Sequence, residues 1–323
     1  MKNLRKRLAL ILSVVLMMTF IPALAQDDLP MIGIIQLMEH PALDAAREGF
    51  IEGLQELGFE DGKNIRIVHR NGQNNQDILA SIADQFISEG ADLVLAIATP
   101  AAQSMAGKST TIPILATAIT DFVSARMAES NEKPGYNISG TTDLNPIQAQ
   151  IELIQRMAPD TKTVGLLYTA SEDNSVLQAE MAHAIIEELG MEWKDVTVNN
   201  VNDVQQAAIS LIDQVDALYI PTDNVVASSM PVVHEAAMAK KIPIFCSEAG
   251  QIEGGGTATL GISYFLLGKQ TAQMAVDVLN GADISTMPIQ AQTEFEYLIN
   301  KTMADAIGLV IPEELLEFAV EIP

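Results

Sequence analysis

The chain has 323 residues, of which 48% are hydrophobic and 19% charged, and its formal net charge is −24. That length accommodates two domains of ordinary size, and the mixture of apolar and charged residues is that of a globular protein. The acidic excess excludes nucleic acid as a partner, because contact with phosphates needs a basic surface, and it fits a soluble exported protein.

Lys2, Arg5, Lys6 and Arg7 open the chain and precede an apolar run over residues 8–21. Pro22 breaks the run, and Ala23-Leu24-Ala25 reads as a small-residue cleavage site before Gln26. Residues 1–25 are therefore expected to be a secretory signal peptide cleaved near Ala25, too short for a membrane span. Its removal takes four of the 18 basic residues and none of the 42 acidic ones, which leaves a net charge of −28. No later segment approaches transmembrane length, so no stable membrane insertion is expected. Cys246 is the only cysteine, so no intrachain disulfide can form. It reads as a small buried strand residue, with no nearby His to make it a nucleophile. Export without disulfides fits a bacterial periplasm.

Residues 31–37 form an apolar run suited to a strand buried on both faces. It ends at Glu39-His40-Pro41. Residues 42–57 carry Leu43, Ala46, Phe50, Ile51 and Leu54 at helical spacing, and Gly58 ends that helix. Strands follow over 64–69, 93–98 and 112–116, with a helix over 77–88, and residues 137–141 leave this lobe. The pattern then restarts. A strand over 163–168, a polar loop over 171–175 and a helix over 176–189 are followed by a strand over 192–198 and a helix over 201–212. The strand Ala217–Ile220, a single helix over 225–240 and a strand over 242–246 complete the second half. Later come Gly254-Gly255-Gly256, a strand over 259–262, a helix over 266–279, a strand over 295–299 and a helix over 301–307.

The halves repeat. Ile112-Pro113-Ile114 and Ile242-Pro243-Ile244 lie 130 residues apart, Asp92 and Asp216 lie 124 apart, and Gly33 and Gly165 lie 132 apart. A period that long marks a duplicated domain. Strand–helix alternation with apolar strands gives an α/β fold of two doubly wound parallel-sheet lobes. The late elements have no counterpart between the halves, so they return to complete both sheets and make a multi-crossover hinge. The expected lobes are residues 26–140 plus 250–282 and residues 141–249 plus 283–323. Such a hinge closes around a ligand.

In open α/β sheets, ligands sit outside the carboxyl ends of the strands. The polar residues at those ends are His40, Thr99, Asp121, Glu172, Asn174, Ser175, Asp223, Asn224 and Glu248. Each alone reads equally as a cap or turn residue; together they outline one cleft. Thr99, at the start of a helix, suits a carboxylate. His69, His183 and His234 have no partners at metal-ligand spacing, so no metal is expected. The chain has no nucleophile elbow and no phosphate loop, and its Gly254-Gly255-Gly256 run is not a dinucleotide fingerprint, so neither cofactor nor enzymatic chemistry is expected.

The runs His40-Pro41-Ala42-Leu43-Asp44, Ala98-Thr99-Pro100-Ala101-Ala102-Gln103, Gly140-Thr141-Thr142-Asp143, Ser171-Glu172-Asp173-Asn174-Ser175, Pro221-Thr222-Asp223-Asn224 and Gly261-Ile262-Ser263-Tyr264 occur in this order. With them the chain resembles the substrate-binding proteins of ABC transporters in the tryptophan/aromatic amino acid group. The resemblance spans the whole mature chain. It implies a type I periplasmic binding fold with three crossovers, a monomer, an amino acid ligand that is aromatic, and a transporter permease as partner. It also implies transport without chemistry. Members are often lipoproteins, whereas this chain has no lipid-accepting Cys after its apolar run, and Asp121-Phe122 stands where the family usually has Asp-Pro. Within this resemblance the ligand ammonium is expected on Asp223, helped by Asp121 or Glu172, and the ligand carboxylate on Thr99 and Ser175. Phe122, Tyr264 and Phe265 either stack on the ligand, with Tyr264 in the site, or pack in the core. The alternatives are a sugar or nucleoside ligand, and a sensory binding protein of the same fold.

Overall fold

The computed structural model describes residues 29–322; the expected signal peptide lies outside the described residues. Its strands, in chain order, are β1 (Met31–Gln36), β2 (Arg66–Asn71), β3 (Leu93–Ile97), β4 (Ile114–Ile119), β5 (Ile138–Thr142), β6 (Thr163–Thr169), β7 (Glu192–Val198), β8 (Ala217–Ile220), β9 (Ile244–Cys246), β10 (Ala258–Gly261), β11 (Gln290–Ala291), β12 (Glu296–Asn300) and β13 (Ala319–Val320). They form one sheet ordered β11-β5-β4-β3-β1-β2 and another ordered β13-β12-β10-β9-β8-β6-β7. Both halves thus share one winding, parallel except where β12 runs antiparallel to β10.

The repeat is also visible in the contacts. Asp92 accepts a hydrogen bond from Met31 N at 2.7 Å, and Asp216 accepts from Lys162 N and Thr163 N at 2.9 Å. Each Asp at the head of a third strand therefore ties down the entry to a first strand. Gly33 and Gly165 lie under packing side chains. A Cβ on Gly33 would come within 2.9 Å of the Phe86 ring, and one on Gly165 within 2.9 Å of Leu218. β1 and β3 are buried throughout, as their apolar runs require.

Sheet membership corrects the expected lobe boundaries. β10 pairs in the second sheet and β11 in the first, each opposite to its expected lobe. The crossings therefore fall after β5, between β10 and the helix Tyr264–Leu279, and between β11 and β12. They are laced together: Ile262 N donates to Asn145 Oδ1 at 3.1 Å, and Gln292 Nε2 donates to Ser263 O at 2.9 Å. The Tyr264–Leu279 helix then docks on the helix Pro41–Glu56 in the first lobe. Glycines permit the approach, since a Cβ on Gly49 would stand 1.9 Å from Phe265 O and one on Gly268 2.0 Å from Ala46 O.

Two further differences have local causes. The expected single helix over 225–240 is broken at Ser229 into Asn224–Ser228 and Met230–Lys240. Pro231 at the start of the second piece has no N–H to continue the first. The helix Ile147–Met157, absent from the sequence expectation, follows the first crossing and buries Ile147, Ile151 and Ile154 against the second sheet.

Candidate functional site

In each sheet the winding reverses between the first and third strands, at β1/β3 and at β6/β8. The crevice outside those carboxyl ends is where such sheets hold ligands. Here the two crevices face each other across a nearly closed gap with a free volume of about 10 Å³. His40 and Ala118 line it from the first lobe. Asn174, Asp223, Asn224 and Glu248 line it from the second, and Asp143 and Tyr264 from the crossings.

The lobes touch around this space. His40 Nε2 meets Asn224 Oδ1 at 3.1 Å, Gln178 Nε2 donates to Thr120 Oγ1 at 3.0 Å, and Gln103 Nε2 donates to Asp173 Oδ2 at 2.8 Å. Gly250 of the second lobe lies so close to the first that a Cβ there would be 3.0 Å from Ala42 N and 3.1 Å from Pro41 Cβ.

Carboxylates dominate the chemistry. Burial pushes Glu248 up to about 8 and Asp143 up to about 6. Burial, reinforced by the neighbouring Asp223 charge, raises Glu172 well above the ordinary carboxylate range, and burial also raises Asp223. No lysine or arginine among the described residues lines the space. Burial lowers the basicity of His40, which is held neutral. With Nε2 donating to Asn224, its Nδ1 is then an acceptor.

Several polar atoms here are buried without a partner: His40 Nδ1, Glu172 Oε1, Asn174 Oδ1 and Glu248 Oε1. All four are acceptors once the two carboxyls are ionised. A buried acceptor left unpaired costs about 1–3 kcal/mol, so a donor placed among them recovers that cost. Thr99 Oγ1 is a fifth such atom. Ala98 N donates to Thr117 O at 3.1 Å, and Thr99 itself is buried and is not among the residues that line the space. The backbone is strained at both strand ends. Ala98 has φ 81° and ψ 151°, a region that glycine alone occupies freely, and Ala118 has φ 58°.

The structure sorts the sequence candidates. His40, Asn174, Asp223, Asn224, Glu248 and Tyr264 line the space, and Glu172 stands behind Asn224, whose side-chain amide donates to Glu172 Oε2 at 2.5 Å. Asp223, expected to face a ligand ammonium, is occupied within its own lobe. It accepts from Thr169 N at 2.5 Å, Thr169 Oγ1 at 2.9 Å and Val226 N at 2.8 Å, and so caps a helix. Ser175 is also turned inward, donating to Thr222 O at 3.3 Å. Asp121 caps an outer turn through Ser124 N at 2.6 Å and lies outside the lining. Phe122 is a core residue, and Phe265 faces a different groove.

Asp143 was missed. It accepts from Tyr264 Oη at 2.7 Å and from Thr120 Oγ1 at 3.2 Å, so Tyr264 presents its ring while its hydroxyl positions a carboxylate. Residue 143 follows the last residue of β5, so the rule applied to the other strand ends identifies it once β5 is counted as a strand of this sheet.

The sequence model of the family described as ABC transporter substrate binding protein matches residues 31–322. A tyrosine-binding protein of Clostridioides difficile (strain R20291) is 40% identical over 278 residues, 86% of this chain and 81% of that protein. Among solved structures, an ABC domain in complex with L-Trp from Streptococcus pneumonia superposes with a TM-score of 0.88 at 36% identity, covering 92% of this chain and 100% of that one. A ligand-free, open substrate-binding protein with adhesive properties from Clostridium difficile gives 0.70 at 40% identity, over 91% and 100%. The lobes here are thus arranged more like the tryptophan complex than like the open protein, although the open protein has the higher sequence identity.

Proposed function

This chain belongs to the ABC transporter substrate-binding proteins, and from that premise we propose that it captures a free aromatic amino acid, tyrosine or tryptophan, between its lobes for a membrane permease. The observation that carries this reading is the convergence of unpartnered acceptors on a cleft without basic side chains. An α-ammonium presents three N–H donors and a positive charge, and His40 Nδ1, Glu248 Oε1 and Asn174 Oδ1 suit it, with Glu172 behind them. Charge-assisted hydrogen bonds of this kind are about twice as strong as neutral ones.

The ligand carboxylate is assigned to the first lobe. There the Thr99 hydroxyl and the N-termini of the helices Pro41–Glu56 and Thr99–Ala106 offer donors and partial positive charge. The side chain rests against the Tyr264 ring, Leu43 and Ala227. In the present arrangement the lobes leave a free volume of only about 10 Å³ between them, about what one water needs, so they must part to admit the ligand. The tyrosine-binding and tryptophan-complexed relatives favour the same class. The protein transports its ligand unchanged and acts after export as a monomer.

Thermal unfolding against a panel of amino acids, sugars and nucleosides tests this. A ligand at 100 times its Kd adds about 2.7 kcal/mol. Stabilisation by tyrosine or tryptophan is expected. Stabilisation by a sugar or nucleoside alone, in protein refolded to strip bound ligand, overturns the ammonium site and keeps the fold.

A further inference from the structure

A second groove at the lobe boundary is far roomier than the cleft. It holds about 320 Å³ on the hinge side, between the Pro41–Glu56 helix, the helix Ala249–Glu253 and the β10–β12 ladder. Pro41, Ala45 and Phe265 supply one wall from the first lobe. Glu253, Thr259 and Glu296 supply the other from the second. Ala42 and Tyr264 touch both spaces and form the partition between them.

Thr259 gives this groove a polar requirement. It is 1% exposed, and its hydroxyl has no hydrogen-bond partner. In the antiparallel ladder it stands directly opposite Leu298, with Glu296 two residues along on the same face. All three line the groove, so the hydroxyl is on the groove side. No lysine, arginine or histidine among the described residues lines it, and the carboxylates of Glu253 and Glu296 are both exposed there.

We propose that this groove is a second small-molecule site, which takes an organic ammonium with an apolar body. The cation sits between Glu253 and Glu296, an N–H or hydroxyl of the ligand meets the Thr259 hydroxyl, and the apolar body lies on Phe265, Pro41 and Ala45. The two walls belong to different lobes. A molecule that holds both favours the present lobe arrangement over a separated one, so occupancy of the groove tightens the cleft.

Tryptamine is a suitable probe, and calorimetric titration of the protein and three variants decides the matter. Glu253 and Glu296 are exposed, so the double variant Glu253→Gln/Glu296→Gln retains the fold; it is expected to weaken tryptamine by about tenfold or more through loss of the charged partners. Thr259→Val removes an unsatisfied hydroxyl, so it should raise the melting temperature while weakening tryptamine several-fold. With the cleft first filled by saturating tyrosine, Glu248→Gln should leave tryptamine within about twofold, because that residue does not touch the groove. The proposal is overturned if tryptamine does not bind at millimolar concentration. It is equally overturned if Glu248→Gln abolishes binding and the double variant does not, since tryptamine then occupies the cleft.

Discussion

Lowering the pH from 8 to 6 should weaken amino acid binding by about fiftyfold, and the buried carboxylates account for the size of the effect. Burial holds Glu248 at about 8 in the ligand-free protein. At pH 6 such a carboxyl is about 1% ionised, and at pH 8 about half. An ammonium placed against it replaces the lost water with an opposite charge, so in the complex the carboxylate is ionised at both values. Binding at pH 6 must then expel about one proton, and the ratio of ionised fractions gives the fiftyfold loss. Glu172, also raised, steepens the slope if the ammonium reaches it. Folding responds in the opposite sense. The folded value of Glu248 lies above its unfolded value of 4.5, so below 4.5 the group is neutral in both states and carries no penalty. As the pH rises from there to about 8, the unfolded chain ionises and the folded one resists, and ligand-free stability declines through that window at about 1.4 kcal/mol per pH unit. Titration calorimetry in buffers of different ionisation enthalpy measures both Kd and the protons released. Equal affinity at pH 6 and 8, with no buffer dependence of the heat, would refute the placement of the ammonium on these acids.

Gly250→Leu should act as a wedge. A Cβ already meets Ala42 N at 3.0 Å, so a larger side chain holds the lobes apart; affinity should fall more than about tenfold while melting changes little, and scattering should report a wider particle. Asp223→Ala should instead unfold easily. It strips a helix cap and both Thr169 bonds, a loss of about 2–4 kcal/mol, and an unaltered denaturation midpoint would contradict its role as an internal brace. Ala98→Gly relieves a φ of 81° and should raise stability by about 1 kcal/mol, whereas a measured decrease would place the strain elsewhere.

The architecture was legible because its signals are local and redundant. Continuous apolar runs marked β1, β3 and β8, glycines ended the helices, and a repeat near 130 residues made each half evidence for the other. What escaped the sequence were matters of partnership. Nothing local says that β10 pairs with β9 and β12 rather than with the first sheet; that follows only when the crossings are seen tied through Asn145 and Ser263. Pro231 was a readable break within the expected 225–240 helix, and the strand-end rule, extended to β5, reaches Asp143.

The same limit explains the exchange of roles between Asp223 and Glu248. Both follow a strand and precede a short helix, and both use one oxygen as a cap, Asp223 for Val226 N and Glu248 for Gly250 N. Sequence position treats them as equivalents. The difference lies 54 residues away, in Thr169, whose backbone and hydroxyl occupy the remaining capacity of Asp223. Glu248 has no such neighbour, and its Oε1 is left buried and unpaired. A carboxylate already satisfied by its own lobe gains little from a ligand ammonium, whereas one with an open oxygen gains a full charge-assisted bond. On the proposed reading, the residue that binds is set by which acid the fold leaves unfinished. Exchanging the two tests this directly: Glu248→Gln should cost affinity with little stability, and Asp223→Asn should cost stability with little affinity. Equal losses of affinity in both would return Asp223 to the ligand.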